Sequence, residues 1–350
     1  MASPWIRSRR WDLTWLIGSA AVVPVGMLLV WTGASSEAIN LGVTALVGGP
    51  HLFSTFIATY ADTRFRRAHA PALAAITLLV PAFVVYMSFH HFQELMSFFV
   101  FWASLHVLQQ NAYLSDVYRR KAGDRDPAWS RLLDYGLLFL SFYPIASYKL
   151  VHDDFLLGTI RILIPPFFKS EWTPRVISVL FAVVFAAWLA KTLAERRRGT
   201  LNGPKTLLIA VTSTLAFVVP CAASGTRLEL AFQTVNAWHS IQYLGVIWLV
   251  LAIRKERGEP LSRLVGRIAG PGRAAWGFYG LCFAFSAALL AAVFEVIRRD
   301  PWGLSGLQYY YMGVLSALFI HYALDTYLFF AAGRPEARPD TIPHAVPSRG

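Results

Sequence analysis

Apolar residues along this chain do not alternate with polar ones as they would in half-buried strands. They run in continuous stretches of about 20 residues, the length needed to cross a bilayer as a helix. Ten such stretches can be outlined, at roughly 11–31, 38–60, 71–89, 94–116, 131–150, 174–194, 206–223, 229–253, 274–297 and 306–331. Continuous runs of this kind exclude an outer-membrane barrel, whose strands alternate lipid-facing and lumen-facing residues. The pattern predicts an all-α, polytopic integral membrane bundle of about ten transmembrane helices. Residues 1–333 form a single transmembrane domain in this reading. Residues 334–350, Pro-rich and charged, are expected to form a disordered cytoplasmic tail.

Between the stretches, basic residues gather in every second connection. They include Arg7, Arg9 and Arg10 before the first stretch, and Arg64, Arg66 and Arg67 after the second. Arg119, Arg120, Lys121 and Arg125 follow the fourth, and Arg196, Arg197, Arg198 and Lys205 follow the sixth. Arg254, Lys255, Arg257, Arg263 and Arg267 follow the eighth, and Arg334 and Arg338 lie in the tail. The intervening connections are poor in basic residues or mixed, as in His152-Asp153-Asp154. Cytoplasmic loops are the ones enriched in Lys and Arg, so both termini are expected in the cytoplasm. The expected location is a bacterial-type inner membrane. The first stretch lacks a small-residue cleavage site and is read as a retained helix. The longest non-cytoplasmic connection, 152–173, is apolar but broken by Pro165-Pro166, and is expected to be interfacial or re-entrant.

Composition agrees. Of 350 residues, 56% are hydrophobic and 15% charged, and the mean hydropathy is +0.47. A soluble domain carries about 25% charged residues. The net charge of +12 would raise the question of nucleic acid in a soluble protein. Here it sits in short loops and is an orientation signal, so no nucleic-acid partner is expected. The two cysteines, Cys221 and Cys282, form no CxxC pair, which removes iron–sulfur and disulfide frameworks from consideration.

Candidate chemistry lies with the histidines. His51, His106, His239 and His321 fall in the second, fourth, eighth and tenth stretches, and the odd-numbered stretches contain none. Those four helices cross the membrane in the same sense. Counted from their outer ends, the histidines share a depth band of roughly 8 Å near the midplane. One histidine in a membrane helix is commonly an interhelical hydrogen-bonding group. Four at one level are read as the wall of one metal site. Each has polar companions about one turn away: Ser54 and Thr55, Gln109 and Gln110, Asn236, Gln242 and Tyr243, and Asp325. Asp325 is read as a hydrogen-bond acceptor for His321 or as a ligand itself. Gln110, Tyr243 and Asp325 are the residues expected to orient ligands or bind activated oxygen. Imidazole suits iron, copper and zinc. Non-haem iron fits best, with copper or haem as alternatives.

The motifs also resemble the Brp/Blh family of membrane β-carotene-cleaving dioxygenases. GGPHLFST is similar to that family's Leu-Pro-His-Gly segment through Pro50 and His51. WASLHVLQ is similar to its second motif through His106, 55 residues on, and NAWHS to its third through Trp238, His239 and Ser240. Leu52 stands where the family has glycine, and Tyr243 follows where it has a second histidine. The resemblance implies non-haem iron held by histidines from separate helices, reacting with O₂. The expected function is a metal-dependent oxygenase or oxidoreductase acting on an apolar lipid or isoprenoid that enters from the bilayer. A haem- or copper-binding electron-transfer or assembly protein, and a proton-coupled transporter, remain open. No P-loop or HExxH motif is present.

Overall fold

A computed structural model describes residues 3–123, 126–223 and 227–330; the expected tail at 334–350 lies outside the described residues. The described chain is almost wholly helical. We number its long helices α1 (Arg9–Trp31), α2 (Ala38–Thr59), α3 (Ala70–His90), α4 (Phe92–Lys121), α5 (Ala128–Leu140) and α6 (Tyr143–His152). These are followed by α7 (Trp172–Arg197), α8 (Gly203–Cys221), α9 (Leu228–Glu256), α10 (Arg273–Arg299) and α11 (Gly306–Phe330). Seven of them, α1, α2, α3, α7, α8, α9 and α10, are long and apolar enough to cross a membrane.

Two regions depart from a straight-helix reading. The stretch at 131–150 is two helices, α5 and α6, separated by a turn at Ser141–Phe142. Pro144 causes the break: it has no N–H for the Leu140 carbonyl, and its ring crowds that carbonyl. The connection at 152–173 holds a two-stranded antiparallel hairpin, Leu156–Leu157 with Ile160–Arg161. Its two-residue turn uses Gly158 at φ +61°, where a side chain would be strained.

The described chain forms two compact units. The first comprises residues 3–40 and Val100–Gln242. Its core includes Val23, Met27, Val219, Ala231 and Trp238 in one cluster, and Leu137, Leu138, Trp188 and Ile209 in another. α7 packs on α5 and α6. Lys191 of α7 and Lys205 of α8, the latter expected to be a loop charge, are buried on either side of Asp134 of α5. Lys205 Nζ lies 3.0 Å from Asp134 Oδ2, and the Trp188 indole donates to Oδ1 at 3.0 Å. Lys205 also bonds Asp126, and Lys191 bonds Asp134 Oδ1. A buried carboxylate is tolerable when it is paired and hydrogen-bonded in this way.

The second unit comprises Leu41–Phe99 and residues 243–330. Here α10 packs along α2, and α11 along α3. Glycine makes the first contact possible: a Cβ on Gly49 would come 1.8 Å from Ser286 Oγ and 2.8 Å from its Cβ. Small residues at such crossings let membrane helices approach closely. Ile57, Tyr243, Ile247, Leu251, Phe278 and Cys282 form one core cluster of this unit; Phe65, Leu73, Ile320 and Leu324 lie in another.

Candidate metal centre

His51 owes its setting to an irregular turn. In α2, residues Thr44–Gly48 form a π-turn, in which Gly49 N–H reaches back five residues to the Thr44 carbonyl. Pro50 then offers no N–H to the Leu46 carbonyl, and the Tyr279 hydroxyl of α10 donates to it instead at 2.6 Å. The carbonyl of Gly48 lies 2.8 Å from His51 Nδ1. A carbonyl only accepts, so Nδ1 carries the hydrogen, and neutral His51 presents Nε2 as its lone-pair nitrogen.

That nitrogen points at a second imidazole. His51 Nε2 and His321 Nε2 are 3.0 Å apart, with the rings nearly perpendicular at 88°. Behind His321, its Nδ1 lies 2.7 Å from Thr55 Oγ1. Thr55 Oγ1 is in turn 2.6 Å from the Tyr243 hydroxyl and 3.1 Å from Asp325 Oδ1. The Tyr243 hydroxyl donates to the same carboxylate oxygen. Asp325 was expected to accept from His321 directly or to ligate. Its Oδ1 stands 3.5 Å from Nδ1, long for a hydrogen bond, and the nearer acceptor is the Thr55 hydroxyl. Thr55 is therefore the hub of this half of the site. Its spacing of four residues from His51 places it on the same helix face, but its link to a residue 266 positions away is a tertiary fact. Ser54, its neighbour, bonds back to the His51 carbonyl at 2.6 Å.

His106 and His239 form the other pair, within the first unit. Their rings meet edge to face, with centroids 5.0 Å apart and planes at 78°. Gln110 was expected to orient a ligand or bind oxygen. Its amide donates to the His239 carbonyl at 3.3 Å and to Gln242 Oε1 at 2.8 Å. These contacts hold the backbone of α9. Gln242 continues the chain to the Leu16 carbonyl in the π-turn of α1. Asn236 bonds Gln233 at 3.1 Å.

The histidines thus form two pairs, His51 with His321 in the second unit and His106 with His239 in the first. All four histidine side chains are buried. With bonds of about 2.1 Å, two adjacent donors at a right angle on a cation stand about 3.0 Å apart. The 3.0 Å between His51 Nε2 and His321 Nε2 equals that edge and is also the length of an N–H···N hydrogen bond. Comparison with family models, with curated proteins and with solved structures yields no match.

Proposed function

We propose that His51, His106, His239 and His321 together hold one transition-metal ion, and that the protein is an integral-membrane metal-dependent oxidoreductase. The observation that carries this reading is the 3.0 Å approach of two buried imidazole nitrogens, one of them committed to its lone-pair form by the Gly48 carbonyl. With a hydrogen on His321 Nε2 the pair is closed by a hydrogen bond; with lone pairs on both nitrogens, a cation is what lets them share one point. The donor set is all imidazole, with one carboxylate, Asp325, held behind it by hydroxyls. Imidazole donors with no thiolate favour iron or copper for redox work, and we name non-haem iron as the ion. A haem ligated by both His51 and His321 would need room for its ring between the two imidazoles. Their 3.0 Å spacing does not provide that.

When bound, such an ion supplies redox chemistry with O₂. The protein's own residues supply the rest. Gly48 and Thr55 set the ring tautomers, Tyr243 and Asp325 anchor Thr55, and the apolar surroundings limit water. A site inside membrane-crossing helices suits an apolar lipid or isoprenoid substrate arriving from the bilayer. We further propose ten crossings with both termini in the cytoplasm of a bacterial-type inner membrane, on the alternation of basic loops.

Elemental analysis of detergent-purified wild type and His239→Ala tests the metal. About one iron per chain, without a haem absorption band, and its loss in the variant are expected. A wild type that takes up no metal on reconstitution would sink the proposal.

A further inference from the structure

We propose that Thr55 is a positioning residue that decides which nitrogen of His321 carries the hydrogen, and that its hydroxyl reverses direction when metal binds. This rests on the metal-centre reading above and deepens it.

The inference follows from counting hydrogens. The Gly48 carbonyl requires a hydrogen on His51 Nδ1, 2.8 Å away. Neutral His51 therefore has none on Nε2, so any hydrogen across the 3.0 Å gap comes from His321. Thr55 has one hydroxyl hydrogen and three acceptors in reach, the Tyr243 hydroxyl at 2.6 Å, His321 Nδ1 at 2.7 Å and Asp325 Oδ1 at 3.1 Å. With neutral rings the arrangements fall into two kinds, according to which nitrogen of His321 carries its hydrogen. In the first, Thr55 donates to His321 Nδ1, and His321 Nε2–H donates to His51 Nε2. In the second, His321 Nδ1–H donates to Thr55, Thr55 donates to Asp325 or to the Tyr243 hydroxyl, and both Nε2 atoms present lone pairs to the same point. The first closes the pair without metal; the second is the only one that offers two ligands. Tyr243 donates to Asp325 in both, which keeps the carboxylate in place to receive the Thr55 hydroxyl. Binding thus moves one hydrogen on His321 from Nε2 to Nδ1, with no net proton released from the ring. Thr55 is 0% exposed and belongs to the same compact unit as His51, Tyr243, His321 and Asp325, so bulk water is kept from replacing its hydroxyl.

The test uses full-length protein with ¹⁵N-labelled histidine, as wild type, Thr55→Val and Thr55→Ser. The His321 signal is assigned by its loss in His321→Gln. Zinc is the probe for NMR, and ferrous iron for affinity by competition. In wild type we expect an Nε2–H signal for His321 that becomes Nδ1–H on adding zinc. Thr55→Val should weaken zinc and iron binding about 10- to 100-fold, the range typical for groups that orient metal-bound histidine. Thr55→Ser should restore both affinity and the signal change, which a purely packing role would not require. Valine binding as tightly as wild type with the same signal change overturns the inference, as does serine failing like valine. If wild type binds neither metal, the metal reading fails by itself. The metal-free spectrum still decides Thr55: loss of the Nε2–H signal in Thr55→Val supports its control of the tautomer, and an unchanged signal refutes it.

Discussion

At the scale of single residues, the hydroxyl and carboxylate behind His321 matter through the ring they steady. Asp325 Oδ1 takes the Tyr243 hydroxyl hydrogen and lies 3.1 Å from Thr55 Oγ1, whose hydrogen it can receive when His321 Nδ1 carries its own. Asp325→Asn keeps the shape and removes the charge that complements a cation. We expect metal affinity to fall about 10- to 100-fold while the protein stays folded, read by competition with a chromophoric chelator. Tyr243→Phe removes one of the two hydrogen bonds and leaves the carboxylate charged. Its expected cost is smaller, about 1 kcal/mol of stability with a modest loss of affinity, checked by thermal unfolding in detergent beside the same titration.

At the scale of elements, α2 depends on what α10 supplies. Tyr279 satisfies the carbonyl that Pro50 leaves without a backbone donor. Tyr279→Phe should cost about 1–3 kcal/mol, the penalty for an acceptor left without a partner away from water, visible as a lower unfolding midpoint. Gly49→Ala drives a methyl into Ser286 and should cost about 1–3 kcal/mol; adding Ser286→Gly should recover most of it. If the double variant is no better than the single, this contact is not what requires glycine. Here the reach of sequence reasoning can be judged. The positions of the long helices were legible because about 20 apolar residues in a row have few alternatives. The four histidines stood out as candidates because helix rise converts residue number into depth. The division into α5 and α6 was legible only to the extent that Pro144 hinted at it. The π-turn before His51 was not legible, since no residue in Thr44–Gly48 demands it; the Pro50 and Tyr279 arrangement that accommodates it is tertiary. Thr55 was visible as a companion of His51, yet its bond to His321 joins residues that no periodicity connects.

At the scale of the whole molecule, some of the basic residues are exposed and others are buried in ion pairs. Lys205 counts among the basic residues of a loop when only sequence is read, but it is buried against Asp134 together with Lys191. Asp134→Ala would leave two lysines without that shared carboxylate. Breaking a buried ion pair on one side costs about 3–5 kcal/mol, so we expect loss of monodisperse protein on size exclusion, partly restored by also changing Lys191 to Met. The crossing pattern has a built-in reporter, because Cys221 is exposed and Cys282 is buried. With both termini cytoplasmic and ten crossings, Cys221 follows the seventh crossing and faces outward. A membrane-impermeant maleimide should label it in intact spheroplasts, and Cys282 should react only after denaturation. Labelling of Cys221 only from the cytoplasmic side would refute the assigned topology.

The π-turn in α2 carries one residue more than a regular helix would hold over the same rise. Each residue turns an α-helix by about 100°, and the wide turn takes up that rotation for its surplus residue. A single-residue deletion within Thr44–Gly48 would therefore give a regular helix with both halves in their present phase and His51 still in place. A chain that straightened the turn at its present length would instead swing His51 about a quarter of the way round the axis. Such a chain would still hold its long apolar helix while the proposed metal-binding set was one member short, so the aim of one imidazole rests on a single surplus residue.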